Sequence, residues 1–340
     1  MIVELIRKVT EGNALTIEES AQAMDEIMSG EATPAQIAGF IMALRMKGET
    51  IEEITGCAQV MRRKAVTIEP GASEYHVVDT CGTGGDTRHT FNISTAAALV
   101  AAGAGVTVAK HGNRAVSSKS GSADVLKGLG VNLEADKEHV ERCLREARIG
   151  FLFAPMMHGA MKYAIGPRRE LGVRTVFNIL GPLTNPASAS CQVLGVYAAE
   201  LVEPLAGVLK NLGSHHCLVV HGEDGLDEIT TTANTLVAEL KEGHVDVRTL
   251  TPEDLGVQRA QLADMVVDDL ENAVQAVREV LGGEKGPRRD IVIVNAGAAI
   301  MVSGAADDLR DGMAKAEAAI DSGKAQAALD RLIAITNETS

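Results

Sequence analysis

The sequence predicts an α/β protein, with a small all-helical domain over residues 1–70 and a large α/β domain over 71–340 on a mostly parallel central sheet. Helix start signals crowd the first 65 residues. From Tyr75 onward, short apolar runs alternate with alanine-rich stretches. Such alternation is the pattern of strand–helix–strand units, whose ligands collect at the carboxyl ends of the strands.

Four helices are expected in the first block. Thr16-Ile17-Glu18-Glu19 and Thr50-Ile51-Glu52-Glu53 read as capping boxes, and Thr33-Pro34-Ala35-Gln36 places proline at a first helical position. Gly30 and Gly48 are the expected stops. Ile37, Phe40, Ile41 and Leu44 recur at helical spacing, so this small block must pack on the rest of the chain, on a second copy, or on both. Strands are expected at His76–Asp79, Val106–Ala109, Gly150–Phe153, Gln192–Tyr197, Cys217–His221, Thr235–Leu240 and Asp290–Asn295. Helices are expected near Ser94–Gly103, Ser122–Leu129, Glu200–Asn211 and Leu270–Leu281, with two more after Ala306.

Composition narrows the classes. No apolar run approaches the roughly 18 residues of a membrane span. The N-terminal stretch is too short and too charged for a signal peptide, and five scattered cysteines without a Cys-x-x-Cys pair fit a reducing cytoplasm. A net charge of −14 disfavours nucleic acid as the main partner, and three tyrosines, five phenylalanines and no tryptophan make a stacking platform improbable. Cys81 has no base placed for it in sequence, and the adjacent His215 and His216 read as the entry to a strand rather than a metal pair.

The richest segment runs from Val77 to Asp124. A β-branched run enters Gly82-Thr83-Gly84-Gly85-Asp86, with hydroxyls at Thr80, Thr83, Thr87, Thr90, Ser94 and Thr95 around it. Ser94 and Thr95 stand where the helix through Ala96–Ala102 should start. Strand, glycine turn and helix N-terminus together suit a phosphate. Neither a P-loop nor a dinucleotide fingerprint fits: no lysine follows before Lys110, and the position three after Gly84 is Thr87. A second polar loop, Lys110 to Ser122, follows the next strand. A third polar element, the acidic pair Asp227-Glu228, follows the strand ending near His221, so all three fall on one edge of the sheet.

Asp79–Asp86 (DTCGTGGD), Asn92–Thr95 (NIST), Lys110–Arg114 (KHGNR), Ser117–Asp124 (SSKSGSAD), Gly181–Pro186 (GPLTNP) and Asp227-Glu228 occur in order. In these motifs the chain resembles the anthranilate phosphoribosyltransferases of tryptophan biosynthesis. The glycine and lysine loops alone would also suit pyrimidine nucleoside phosphorylases, which share the fold; the acidic pair and GPLTNP favour the phosphoribosyltransferase. A non-catalytic nucleic-acid-binding relative should be basic, and this chain is acidic.

The resemblance implies two substrates, anthranilate and 5-phosphoribosyl-1-pyrophosphate (PRPP). It assigns Gly82, Gly85, Asp86, Thr90, Asn92, Ile93, Ser94 and Thr95 to pyrophosphate and ribose. Lys110, His111, Gly112, Asn113, Arg114, Ala115, Val116, Ser117, Ser118 and Ser122 would complete the PRPP contacts. Arg168 would take the anthranilate carboxylate, with Asn113 and Gly82 near the amine; its neighbour Arg169 is as good a donor on chemistry alone. Asp227, Glu228 and Ser94 would hold magnesium, two ions in all, although Glu223 and Asp224 offer the same chemistry. His158 is a further candidate for the aromatic pocket. The resemblance also implies that residues 165–188 join the helical domain, that the site lies in the cleft between domains, and that the helical domain forms a homodimer. No covalent nucleophile is expected.

Overall fold

A computed structural model describes residues 1–85, 88–114 and 121–338. The chain opens with four helices: α1 (Ile2–Thr10), α2 (Ile17–Ser29), α3 (Pro34–Lys47) and α4 (Ile51–Lys64). Thr16, Thr33 and Thr50 each accept a bond from the backbone N–H three residues on, and Glu19, Gln36 and Glu53 return it. Glu53 does more than cap. Its buried carboxylate also accepts from Leu15 N at 2.9 Å and pairs with Lys47 at 2.9 Å, tying three parts of the block together.

The remaining chain forms one seven-stranded sheet. Its strands are β1 (Val78–Gly82), β2 (Val108–Gly112), β3 (Ile149–Phe153), β4 (Cys191–Gly195), β5 (His216–Gly222), β6 (Thr235–Lys241) and β7 (His244–Leu250). Their order is β3-β2-β1-β4-β5-β6-β7; the first five run parallel and the last two form an antiparallel hairpin on β5. The helices between and after them are α5 (Ile93–Gly103), α6 (Ser122–Leu129), α7 (Lys137–Glu146), α8 (Ala154–Met157), α9 (Lys162–Leu171), α10 (Phe177–Leu180), α11 (Val202–Asn211), α12 (Leu270–Leu281), α13 (Pro287–Val302), α14 (Leu309–Asp321) and α15 (Lys324–Thr336).

Successive strand side chains serve two different cores, as the two-residue period requires. Leu218 and Val220 of β5 join α5 and α12–α15 on one face. Cys217 and Val219 join α10, α11 and the N-terminal helices on the other. α9 leaves the sheet and packs on α2 and α3.

One expected strand fails, and two elements were not foreseen. Asp290–Asn295 is not a strand: Pro287 opens the 16-residue helix α13 after Gly286, and its residues are buried on nearly every side. A helix buried all round carries the same β-branched run as a central strand, so periodicity could not separate them. The hairpin strand β7 and helix α7 went unread. Between β6 and β7, Glu242 and Gly243 turn with φ of +51° and +77°. Positive φ at both turn residues is the tight-hairpin geometry, here without the usual Asn-Gly or Asp-Gly.

Candidate active site

The glycine loop, the helix start and the acidic pair meet at the carboxyl end of β1. Gly84 N donates to Asp227 Oδ2 at 3.1 Å, and Ser94 N donates to Glu228 Oε1 at 3.1 Å. Small residues make this approach possible. A Cβ on Gly82 would stand 2.4 Å from Asp227 Oδ2, and one on Gly195 would stand 1.6 Å from Asp227 O. Gly195 ends β4 beside Gly82, so two paired strands stop in glycine where the acidic loop crosses them.

Ser94 and Thr95 do not cap α5. The helix begins at Ile93 with Asn92 at its cap position, and no side chain caps it. Glu228 takes the Ser94 N–H instead, an anion at a helix N-terminus. Thr95 is fully buried, and its hydroxyl has no partner among the described residues. Ile93 is buried, while Thr90 forms an isolated bridge to Val266.

Lys110 is the principal correction to the site. The residue expected among the phosphate contacts is 1% exposed beneath the glycine loop, a burial the sequence did not signal. Its Nζ donates to Thr80 O at 2.5 Å and to Ser94 Oγ at 3.3 Å. Burial pushes the ammonium below its ordinary range, while the charges of Asp79, Cys81, Glu228 and Asp227 oppose that shift. Asp79 is also fully buried, and its carboxyl is pushed up to about 6 by burial. Its two oxygens accept from His111 N at 3.1 Å and Asn185 Nδ2 at 2.8 Å, and Asn185 reaches Ala109 O at 2.7 Å. The asparagine of GPLTNP thus pins that motif to the ends of β1 and β2.

His111 and His158 form a neutral pair. His111 Nδ1 lies 3.1 Å from Gly181 O, which can only accept, so this nitrogen carries the proton. His111 Nε2 is then an acceptor, and His158 Nε2, 3.2 Å away, donates to it. Burial pushes both imidazoles down, to about 3 for His111 and about 4 for His158. His158 therefore supports the lysine loop through His111.

Arg168 and Arg169 separate clearly. Both lie in the last turn of α9, where the helix dipole favours their charge. Arg168 is half-buried with its guanidinium 5.0 Å from the Phe177 ring centroid, whereas Arg169 is exposed. The acids separate as well. Asp224 accepts from Leu226 N, Thr230 Oγ1 and Thr232 Oγ1, so it shapes the loop, while Glu223 is exposed.

Asn113 and Arg114 are exposed at the end of β2, with Arg114 5.8 Å from the Phe153 ring centroid. Ser122 opens α6 and donates to Asn113 O at 3.4 Å; a Cβ on Gly112 would stand 2.4 Å from its Oγ. Gly85, with φ of +81°, ends the described part of the glycine loop. Asp86, Ala115, Val116, Ser117 and Ser118 lie outside the described residues. Cys81 is no nucleophile: it is buried, accepts from Gln192 Nε2 at 3.0 Å, and has its thiol pushed well up by burial. Gly195 and the histidine pair escaped the sequence reading; only Gly181 and Asn185, inside a noted motif, pointed toward these contacts.

A glycosyl transferase family helical-bundle-domain model matches residues 3–65, and a glycosyl transferase family a/b-domain model matches residues 74–326. The anthranilate phosphoribosyltransferase of Geotalea uraniireducens (strain Rf4) is 55% identical over 350 residues, covering 99% of this chain and 100% of the relative. The chain belongs to the anthranilate phosphoribosyltransferase family. The crystal structure of the Thermus thermophilus member superposes with a TM-score of 0.92 at 43% identity, covering 98% of this chain and 99% of that one. The Saccharomyces cerevisiae member in complex with PRPP and Mg gives a TM-score of 0.87 at 28% identity, covering 98% and 97%. Helical block, mostly parallel sheet and sequence agree with membership of this anthranilate phosphoribosyltransferase family throughout.

Proposed function

We propose that this chain joins the amine of anthranilate to C1 of PRPP and releases pyrophosphate, giving N-(5-phosphoribosyl)anthranilate in tryptophan biosynthesis. Beside family membership, one observation carries the reading: the glycine loop, the α5 N-terminus and Asp227-Glu228 lie within hydrogen-bond distance of one another. Positive charge develops on the ribose and negative charge on the leaving group, so donors fixed around the leaving group lower the barrier most. The backbone of Gly82–Gly85, the α5 N-terminus and Ser94 supply those donors, with Lys110 as a buried positive charge behind them. The loop residues Asp86 and Ala115–Ser118, with Thr90, Asn92, His111–Arg114 and Ser122, complete the PRPP site.

Asp227, Glu228 and Ser94 are the magnesium ligands of this reading. They offer hard oxygens, and among the described residues no group of three or more His, Cys, Asp or Glu forms a fuller cage. Magnesium suits such a partial set because it keeps waters and takes phosphate oxygens. When bound, it supplies positive charge to the departing pyrophosphate. Two ions are what the family resemblance implies for this pair of carboxylates. Arg168 meets the anthranilate carboxylate, with Gly82 and Asn113 toward the amine.

Residues 1–70 with the 165–188 strap form the small unit, 71–340 the large one, and the substrates meet between them. The packing of α9 on α2 and α3 supports this division. Exposed Val3 and Met46 on the helical block support a homodimer through it. The decisive assay is loss of anthranilate fluorescence with PRPP and magnesium. Consumption is expected; a folded protein that consumes none, or prefers thymidine with phosphate, overturns the reading.

A further inference from the structure

Arg174 stands in the short turn between α9, which ends at Leu171, and α10, which begins at Phe177. It has no part in the assignments above, yet it joins the strap to the glycine loop. Its Nη2 donates to Gly85 O at 2.7 Å, and its guanidinium carbon lies 4.2 Å from the Tyr197 ring centroid. Tyr197 is itself seated on that loop. Its backbone N donates to Thr83 Oγ1 at 3.1 Å, and Thr83 N donates to Gly195 O at 2.9 Å. The aromatic face thus orients the cation, which points its N–H groups at the Gly85 carbonyl. Gly85 takes φ of +81°, a conformation that favours glycine at the carbonyl Arg174 reaches.

Beyond α10 the strap is anchored a second time. Gln192 Nε2 donates to Pro182 O at 2.7 Å, beside the His111 bond to Gly181 and the Asn185 bond to Asp79. The segment that follows Arg168 is therefore tied to the glycine loop at Arg174 and to the strands at Gly181, Pro182 and Asn185. Movement of α9 that breaks the Arg174 bond removes a constraint from Gly85, and displacement of Gly85 removes one of the strap's two anchors.

We propose that Arg174 is a positioning residue that couples the two substrate sites by latching the strap to the glycine loop. The inference rests on the functional reading above, which gives the glycine loop to pyrophosphate and Arg168 to the aromatic carboxylate. A ligand that favours the latched arrangement from one side raises its population for the other, and the coupling is reciprocal. Arg174 touches neither substrate in this role.

The test measures anthranilate binding by its fluorescence, with and without saturating magnesium pyrophosphate, a pair that cannot react. Wild type, Arg174→Ala and Arg174→Lys are compared, with thermal melts to confirm folding. In wild type, magnesium pyrophosphate should tighten anthranilate about fivefold, whereas Arg174→Ala should bring the ratio near one. Arg174→Lys should keep part of the ratio, since an ammonium can still cover Tyr197 and donate. A merely structural residue would move the melting temperature and leave the ratio alone. A wild-type ratio of one, or an undiminished ratio in the alanine variant, overturns the proposal. Wild-type turnover is measured in parallel: turnover without coupling sinks the latch alone, and absence of turnover sinks the functional reading.

Discussion

The two halves of the site are built on different physics. At the glycine loop, charges are numerous and already engaged: Asp227 and Glu228 hold backbone N–H groups, while Lys110 and Asp79 are buried on opposite faces of β2 and β1. On the strap side, the charges are arginines set against aromatic rings, with Arg174 over Tyr197. Arg168 lies over Phe177, and the histidines beside the strap are neutral. A polyanion with charge moving onto it calls for fixed donors and hard oxygens on a rigid sheet edge. A flat aromatic acid calls for an apolar wall and one cation. The division predicts that damage to the first half reduces the chemical step, whereas damage to the second reduces binding of one substrate.

The sharpest way to break that comparison is the double substitution Asp227→Ala, Glu228→Ala. Turnover over a magnesium titration should fall by at least about a hundredfold, the scale of losing groups that stabilise developing charge. Each carboxylate also accepts a backbone bond, so the melting temperature should drop, though by no more than about 5 °C. Near-normal activity at limiting magnesium would remove both residues from the metal site.

Arg168→Ala tests the other half and should have a smaller effect. The anthranilate KM should rise about tenfold to a hundredfold, the worth of one charge-assisted bond, with little change in the PRPP KM. Arg169→Ala is the control, and its exposed side chain should be dispensable. Equal rises for both substrates would erase the distinction between the halves, and a larger effect at Arg169 would exchange the two arginines.

How much of this was legible depended on the range of the interactions. The capping boxes at Thr16, Thr33 and Thr50 are local, and the structure forms all three. The strand ends carrying the glycine loop, the lysine loop and the acidic pair were legible because parallel strands must all point the same way. Burial was not. Lys110 belongs to a polar motif, yet strand alternation turns it onto the α5 side of the sheet, where Thr80 O and Ser94 Oγ accept from it. The Asp290–Asn295 run misled for the converse reason: full burial erases the helical stripe. Gly195 gave no signal, because its need for a missing side chain arises from a loop far along the chain, at Asp227.

The smallest expected effect concerns the neutral histidine pair and reads out in stability against pH. Burial lowers the folded-state pKa of His158 to about 4, below the 6.5 of a free imidazole. A base with a depressed folded pKa contributes stability that is fully present above its unfolded value. That contribution is lost as pH falls toward the folded one, so the window runs from about pH 6.5 to 4. His158→Gln retains a donor toward His111 Nε2 but cannot titrate. Its melting temperature should fall less steeply than wild type's across this window, by the equivalent of about 1–3 kcal/mol. Asp79, raised to about 6 by burial, acts in the opposite direction in both proteins and cancels. His111, lowered by burial and in part by the charge of His158, shifts with the substitution, so the difference between slopes reports the histidine pair. Identical slopes would mean that His158 accepts its proton as readily folded as unfolded. The strap side would then be a charged site like its counterpart, and the contrast between the two halves would rest on Arg168 alone.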